Sequence, residues 1–570
     1  MFTSSRSFLQ SSLRTVLLIA ATLSFFSTLQ AALPVLPGSL ETLAIQEGGR
    51  RKPYFVFAEE SLRSLSGNSL FGKITLQLDG KNFTAPEVIT SIWLEPTIDW
   101  ASKPMVFVSH HPLKEALGLD PKRKLFSYDE LSSNEKLQKL ISEASAERRR
   151  DSRKRLQGLS KEASDIGMRL ALFEELANGS IFRIVPSSES AGATWASLAQ
   201  WKGMDDSEEA VAAGDDFAAM QAAWIGGDKE AFSQAVSRLR SVLECLVQPD
   251  AVPPWKLKLE VFYQKVHPFG WAWMLYGMSG ILLMLFSGVQ KSEAGSLWKR
   301  FGYRAAWFFA GSGFFLQAAG LLARVLIAGR PPVTNMYESV IWVSFGVILF
   351  ALIFETIYHA GTFLLGAVPV AVASLILADT QPMILDPSLR PLMPVLRDNF
   401  WLSTHVLSIT LSYAAFALSL GVAHVILIRI IFEKKVTATL YNYLYRSLQV
   451  GVLLLATGTI LGGVWANYSW GRFWDWDPKE TWALIALLGY LFLLHGRIAG
   501  RWGGFGLAIG AVLAFLSVVM AWYGVNFVLG VGLHSYGFGT GGFPVVLGFI
   551  GVEVVVVTAA VLRHRNGKSK

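Results

Sequence analysis

The sequence holds a single cysteine, Cys245, in 570 residues. One thiol excludes an intramolecular disulfide, a Cys-x-x-Cys redox pair and any cysteine-built zinc site. Any thiol reduction that the protein's pathway requires therefore falls to a separate protein. Charge is also scarce: 16% of residues are charged against 52% hydrophobic, which is low for a soluble protein of this length and marks a membrane protein with a soluble portion. The formal charge of +8 does not point to nucleic acid, because Lys and Arg sit largely in short loops and at the C-terminus. The positive-inside bias accounts for them there without a partner. His110 and His111 have no cysteine or third histidine nearby, and adjacent side chains point apart on either a strand or a helix. They read as surface or loop histidines.

Residues 1–36 carry Arg6 and Arg14 ahead of an apolar run from Val16 to Phe26, followed by Ala31 and Ala32. That is the layout of a secretory signal, although Leu29 fits the small-x-small cleavage rule poorly and leaves an uncleaved anchor open. Residues 37–262 lack a membrane-length apolar run and form an exported soluble domain. Helical spacing is expected over 129–178 and again over 228–247, where Phe232, Val236, Leu239 and Leu243 form one stripe. The basic run Arg148, Arg149, Arg150, Arg153, Lys154 and Arg155 reads as a solvated helix face.

Beyond Pro253-Pro254 the composition changes. Nine apolar segments follow, near 269–288, 307–328, 339–358, 361–378, 401–428, 447–466, 481–498, 504–526 and 543–562, each long enough to span a bilayer core. The fold class expected is an all-α polytopic membrane protein with a largely helical extracytoplasmic domain. Positive charge concentrates at 290–306, 429–446, 496–503 and the tail, so those face the cytoplasm. By alternation 329–338, 379–400, 467–480 and 527–542 face outward with the soluble domain.

One outward stretch is unlike a loop. Trp465, Trp470, Trp474, Trp476 and Trp482 fall within eighteen positions, interleaved with Arg472, Asp475, Asp477, Lys479 and Glu480. Interfacial belt tryptophans are one reading. An aromatic shelf with charged edges for a large planar ligand is the other.

The residues WGRFWDWDPKETW at 470–482 resemble the tryptophan-rich signature of heme-handling proteins of cytochrome c maturation. The flanking WAN at 465–467 and LLHGR at 493–497, with RPPVTNMYES at 330–339, STHVLSITLSYAAFAL at 403–418 and GLHSYGF at 532–538, resemble the CcsA (ResC) family of System II. The resemblance covers roughly the C-terminal half, so residues 263–570 read as a CcsA-like domain with its heme-binding loop at 465–482. It implies heme b as cargo, His405 and His534 as axial ligands flanking the shelf, and His495 as an intramembrane ligand that receives heme before it moves outward. The Trp465, Trp470, Trp474, Trp476, Asp477 and Trp482 group would form the shelf, and Arg472 and Lys479 have the right sign for heme propionates. It further implies a multi-pass protein of the inner membrane that serves as a component of a holocytochrome c synthase, acting on apocytochrome c. The fused System II pattern has further spans and a second intramembrane histidine ahead of the soluble domain. Here only a leader is read there, so either another polypeptide supplies that half or heme entry uses His495 with a different partner, and a separate CcsB-like (ResB-like) subunit is the expectation. The alternative is a heme exporter or chaperone that hands heme to a separate ligase. A quinone or redox subunit would need a second histidine pair within the spans, which the sequence does not offer.

Other polar residues have plainer expectations. Arg324 would snorkel to the outer interface, and Asn335, Tyr337 and Glu338 would start a helix or support the outer site. Asp475, Asp477 and Glu480 would be structural, with Asp477-Pro478 opening the next helix. His424 would pack against neighbours, His267 would mark a boundary, and His359 and His564 would be structural at the cytoplasmic ends.

Overall fold

A computed structural model describes residues 36–67, 75–78, 80–150, 156, 158–187, 193–203, 207–246, 251–287, 293–382, 384–392, 397–432, 436–529 and 542–568. The leader, His534 and the basic residues Arg153, Lys154 and Arg155 lie outside them.

The part ahead of Pro253 has a buried core of its own and is mostly helical, with four two-stranded antiparallel sheets among the described residues added to what the spacing predicts. The first hairpin pairs β1 (Ala44–Glu47) with β2 (Arg50–Pro53) and feeds α1 (Tyr54–Ser66). The predicted helices appear as α2 (Glu135–Arg150), α3 (Gly158–Ala177) and α4 (Lys229–Cys245), and the stripe Phe232, Val236, Leu239 and Leu243 is buried as its spacing requires. His110 caps the short helix that His111 begins, its Nδ1 accepting from the Leu113 amide.

Nine helices among the described residues are long and apolar enough to cross a membrane. The first is a pair, α5 (Pro254–Val266) and α6 (Pro268–Ser287), joined at His267. Then come α7 (Glu293–Ala328), α8 (Met336–Tyr358), α9 (Thr362–Thr380), α10 (Asn399–Ile431), α11 (Ala438–Trp470), α12 (Pro478–Ile498), α13 (Gly504–Leu529) and α14 (Phe543–Lys568). The central one is α10, whose most apolar window is 67% buried against 11% for α14. It can sit centrally because small residues let neighbours close on it: a Cβ on Gly421 would lie 2.1 Å from the Gly366 carbonyl oxygen of α9. Ser419 and Ser447 exchange a hydroxyl hydrogen bond of 3.0 Å between α10 and α11.

Two buried polar pairs correct the sequence expectations. Arg324 does not reach the interface. It is 2% exposed and pairs at 2.8 Å with Glu338, itself 1% exposed, and also donates to the Tyr263 hydroxyl and the Pro387 carbonyl. A carboxylate offered by the start of α8 replaces the water that snorkelling would have sought. His424 is not simply packed: Nδ1 donates to the Leu420 carbonyl and Nε2 lies 3.1 Å from Glu553 of α14. Glu553 is thereby the inward-facing anchor of a helix otherwise bare on most sides. His267 is a boundary residue as expected, in left-handed conformation and bound at 2.7 Å to Asp379.

This N-terminal part is fastened to one end of the helix bundle. Arg50 of β2 pairs with Glu260 of α5 at 2.5 Å and donates to the Leu389 carbonyl, and Glu41 pairs with Lys265 at 2.7 Å. The opposite end carries Arg300, Arg304, Arg429, Arg446, Arg497, Arg501, Arg563 and Arg565, the distribution expected of a multi-pass protein.

Candidate functional site

The tryptophan-rich stretch is mostly helix. α11 continues through Trp465 to Trp470 and is closed by Gly471 in left-handed conformation, and α12 starts at Pro478, so only 471–477 is loop. Asp477 caps α12 by accepting from the Lys479 amide at 2.9 Å, while Glu480 accepts from the Asp475 and Asp477 amides. That reciprocal arrangement satisfies amides a helix start leaves open, and it is the structural role the sequence predicts for these carboxylates. Arg472 pairs with Asp475 at 2.6 Å.

His405 lies on a π-helical turn, Leu402–Val406, at the start of α10. Such turns are rare and recur at functional sites because one extra residue re-aims a side chain. The ring reaches across to α11, where Nδ1 meets the Gly458 carbonyl at 2.8 Å. A carbonyl only accepts, so Nδ1 carries the hydrogen and Nε2 the lone pair, the tautomer a metal-binding imidazole needs. Gly462 makes room for it, since a Cβ there would sit 2.5 Å from His405 Cε1. Trp465 lies against the imidazole with ring centroids 5.7 Å apart, and Trp401 stacks nearly parallel to Trp465 at 6.4 Å and 10°.

Trp401 is a residue that sequence reasoning missed. It stands four before His405, the spacing that shares a helix face, and that periodicity was the available signal. The remaining tryptophans do not extend the stack into one plane. Trp474 and Trp476 meet edge to face at 86°, and Trp476 is 68% exposed with φ of 56°. A non-glycine residue in that region is strained, and such strain gathers at functional surfaces. Phe473 folds back so that its ring edge fills the space beside Gly463. Trp470 ends α11 and Trp482 is half-buried in the second turn of α12.

The second π segment, Met520–Leu529 at the end of α13, leads toward the stretch that contains His534. His495 belongs elsewhere. Because α12 begins at Pro478, His495 lies in its last turn, roughly 26 Å from the tryptophan end at 1.5 Å per residue. Its Nδ1 donates to the Leu491 carbonyl at 2.8 Å, so its Nε2 also carries the lone pair. It shares an exposed stripe with Ile485, Leu488 and Phe492.

An imidazole of fixed tautomer beside two parallel indoles is suited to holding a flat ligand that presents a metal. Comparison with known proteins decides the lineage. The profile of the family described as Cytochrome C assembly protein matches residues 333–534. Cytochrome c biogenesis protein CcsA of Guillardia theta is 36% identical over 243 residues, covering 38% of this chain and 79% of that protein. This chain belongs to the CcsA family of cytochrome c biogenesis proteins. CcsA of Prochlorococcus marinus (strain MIT 9301) is likewise 36% identical, over 254 residues. Protein NrfI of Wolinella succinogenes is 28% identical over 506 residues, 86% of this chain, which is more than the membrane part alone supplies. The chain spans about half of NrfI, 53% of its length. The family match begins just before Asn335, which caps α8, and ends at His534, so it takes in His405, the tryptophan stretch and His495.

Proposed function

We propose that this CcsA-family protein presents heme b at the soluble-domain end of the bundle for covalent attachment to apocytochrome c, and that this end faces the periplasm from the inner membrane. The observation that carries the reading is the His405 imidazole, its Nδ1 held by the Gly458 carbonyl and its ring set beside the parallel indoles of Trp465 and Trp401. His405 would supply one axial ligand and His534 the other, with Trp474, Trp476 and Arg472 at the rim. Attachment adds each thiol S–H across a vinyl C=C, sulfur to one carbon and hydrogen to the other, which is the cargo's own chemistry. The protein's part is orientation and protection of the iron.

His495 is the ligand at which heme would enter. An ionisable side chain on a membrane helix normally faces the bundle interior or a partner, and His495 lies instead on an exposed apolar stripe. That favours a CcsB-like subunit covering this face and completing the site. The experiment is the visible spectrum of the purified full chain with such a partner. A low-spin bis-histidine spectrum is expected, with His405→Ala and His534→Ala each losing it. Unchanged heme content in both variants would overturn the reading. The rival, an exporter that passes heme to a separate ligase, predicts normal heme content but no holocytochrome c when the pair is placed in a host without its own machinery.

A further inference from the structure

A lateral groove of about 710 Å³ opens between α7, α8 and the start of α10, at the soluble-domain end of the bundle. Its walls are apolar, with Leu321, Leu322 and Val325 on one side and Trp342, Phe345 and Leu407 on the other. The volume falls in the range of small-molecule sites. Ser403 and Leu407 bring α10 to it, two residues either side of His405, so the groove meets a different face of that helix from the one turned to Trp465.

What distinguishes the groove from an ordinary furrow between helices is Arg330 at its mouth. The guanidinium donates to the Arg390 carbonyl at 2.6 Å, its Nε is buried without an acceptor, and no carboxylate pairs with it among the described residues. The nearby carboxylates are committed: Glu338 to Arg324, Glu260 to Arg50 and Asp386 to Arg390. Burial lowers the Arg330 pKa from its ordinary value; Glu338 attracts the guanidinium from a distance, and Arg324 and Arg50 oppose that attraction. The wall also holds the Trp342 indole N–H, buried with no acceptor among the described residues. A half-buried cation with no carboxylate in direct contact among the described residues, above an apolar slot, is completed by an anion that brings a hydrocarbon tail. Arg330 follows the last residue of α7 by two positions, at the depth where lipid head groups lie. The slot opens beside Leu322, which is 57% exposed on the lipid-facing surface of α7.

We infer that this groove binds an anionic phospholipid of the surrounding leaflet, with its phosphate on Arg330 and an acyl chain along Leu322, Val325 and Phe345. The guanidinium fork matches two phosphate oxygens, and basic pockets between membrane helices commonly hold anionic head groups. The occupant borders the turn that carries His405 and closes a lateral gap in the bundle.

The test uses the full chain in detergent micelles doped with phosphatidylglycerol or phosphatidylcholine bearing brominated acyl chains. Quenching of Trp342 is read as the difference between wild type and Trp342→Phe. Phosphatidylglycerol is expected to quench at mole fractions about tenfold or more below phosphatidylcholine, the factor one charge-assisted contact gives. Arg330→Gln should abolish that preference. Leu322→Trp, which fills the slot and leaves the charge, should reduce quenching by both lipids, and it keeps the test open if Arg330→Gln folds poorly. Equal quenching by the two lipids, or an undiminished preference in Arg330→Gln, would overturn the inference. So would an Arg330→Gln protein that keeps the lipid preference and loses bound heme, because the cation would then serve a porphyrin carboxylate.

Discussion

Gly462 is small because His405 occupies the space where its Cβ would be, 2.5 Å from Cε1 and 2.9 Å from Nδ1. The ring cannot swing aside without breaking the bond to Gly458, worth about 1 kcal/mol. Gly462→Ala is therefore expected to fold and to lose the low-spin heme spectrum, read on the purified protein beside its melting temperature. A normal spectrum would mean that the imidazole is not used in the pose described. At the same scale, Glu338→Ala strands the Arg324 guanidinium and should cost about 3–5 kcal/mol, whereas replacing the pair by Met and Leu should recover most of it. Thermal unfolding in detergent measures both. The pair was illegible in the sequence because its members stand on different helices, and an arginine near a span end reads as an interface residue until its partner is known. Trp401 was legible in principle, because its i, i+4 relation to His405 is a helix face, but it stands outside the tryptophan-dense stretch that begins at Trp465.

The elements were read more completely than their edges. Nine apolar runs are a matter of length and composition, and all nine recur as helices, most of them longer than the apolar run alone because polar caps sit beyond it. α11 begins at Ala438, its first turn capped by Thr437, well ahead of the apolar stretch. The start of α12 shows what such a cap does for function. Asp477 holds the Lys479 amide, and its own amide binds Glu480, which fixes where loop 471–477 ends and hence where Trp476 projects. Asp477→Ala should cost about 1 kcal/mol as a lost N-cap, a small shift in melting temperature. Its larger effect is expected on the tryptophan loop, seen as faster proteolysis or quenching of Trp474 and Trp476 in single-tryptophan-deletion backgrounds. Equal loop accessibility in the variant would separate the cap from the site. The perpendicular packing of Trp474 on Trp476 was not readable from spacing, because a loop residue's direction depends on φ, and the left-handed φ at Trp476 leaves no signature in a tryptophan.

At the scale of the whole molecule, charge at the junction couples the N-terminal part to the helix bundle. Lys52, buried in β2 two residues from Arg50, pairs with Glu47 and Glu60. Burial alone would lower its pKa, but Glu60 and Glu47 outweigh that and raise it above the ordinary lysine value. Glu60 is the converse: burial pushes its carboxyl up, and Lys52, with Arg50 and Arg63 beyond it, brings it below the ordinary carboxylate value. The depressed carboxylate contributes stability that is present above about pH 4.3, the unfolded value, and is lost as pH falls through the folded one. The raised lysine contributes below about pH 10.4 and loses its contribution as pH rises through its folded value. Lys52→Met should therefore be less stable than wild type by about 3 kcal/mol near neutrality, the low end for breaking a buried pair. The gap should be widest near neutrality and close at either extreme, on the acid side from the higher carboxyl value that burial gives Glu60 once Lys52 is gone. Melting temperatures of both proteins from pH 3 to 11 test this, and a gap that widens on acidification would show that Lys52 is not what holds Glu60 ionised. Because β2 also carries Arg50 to Glu260, the same titration should loosen the N-terminal part from α5, so proteolysis in the segment ahead of α5 should quicken at the pH values where the gap closes.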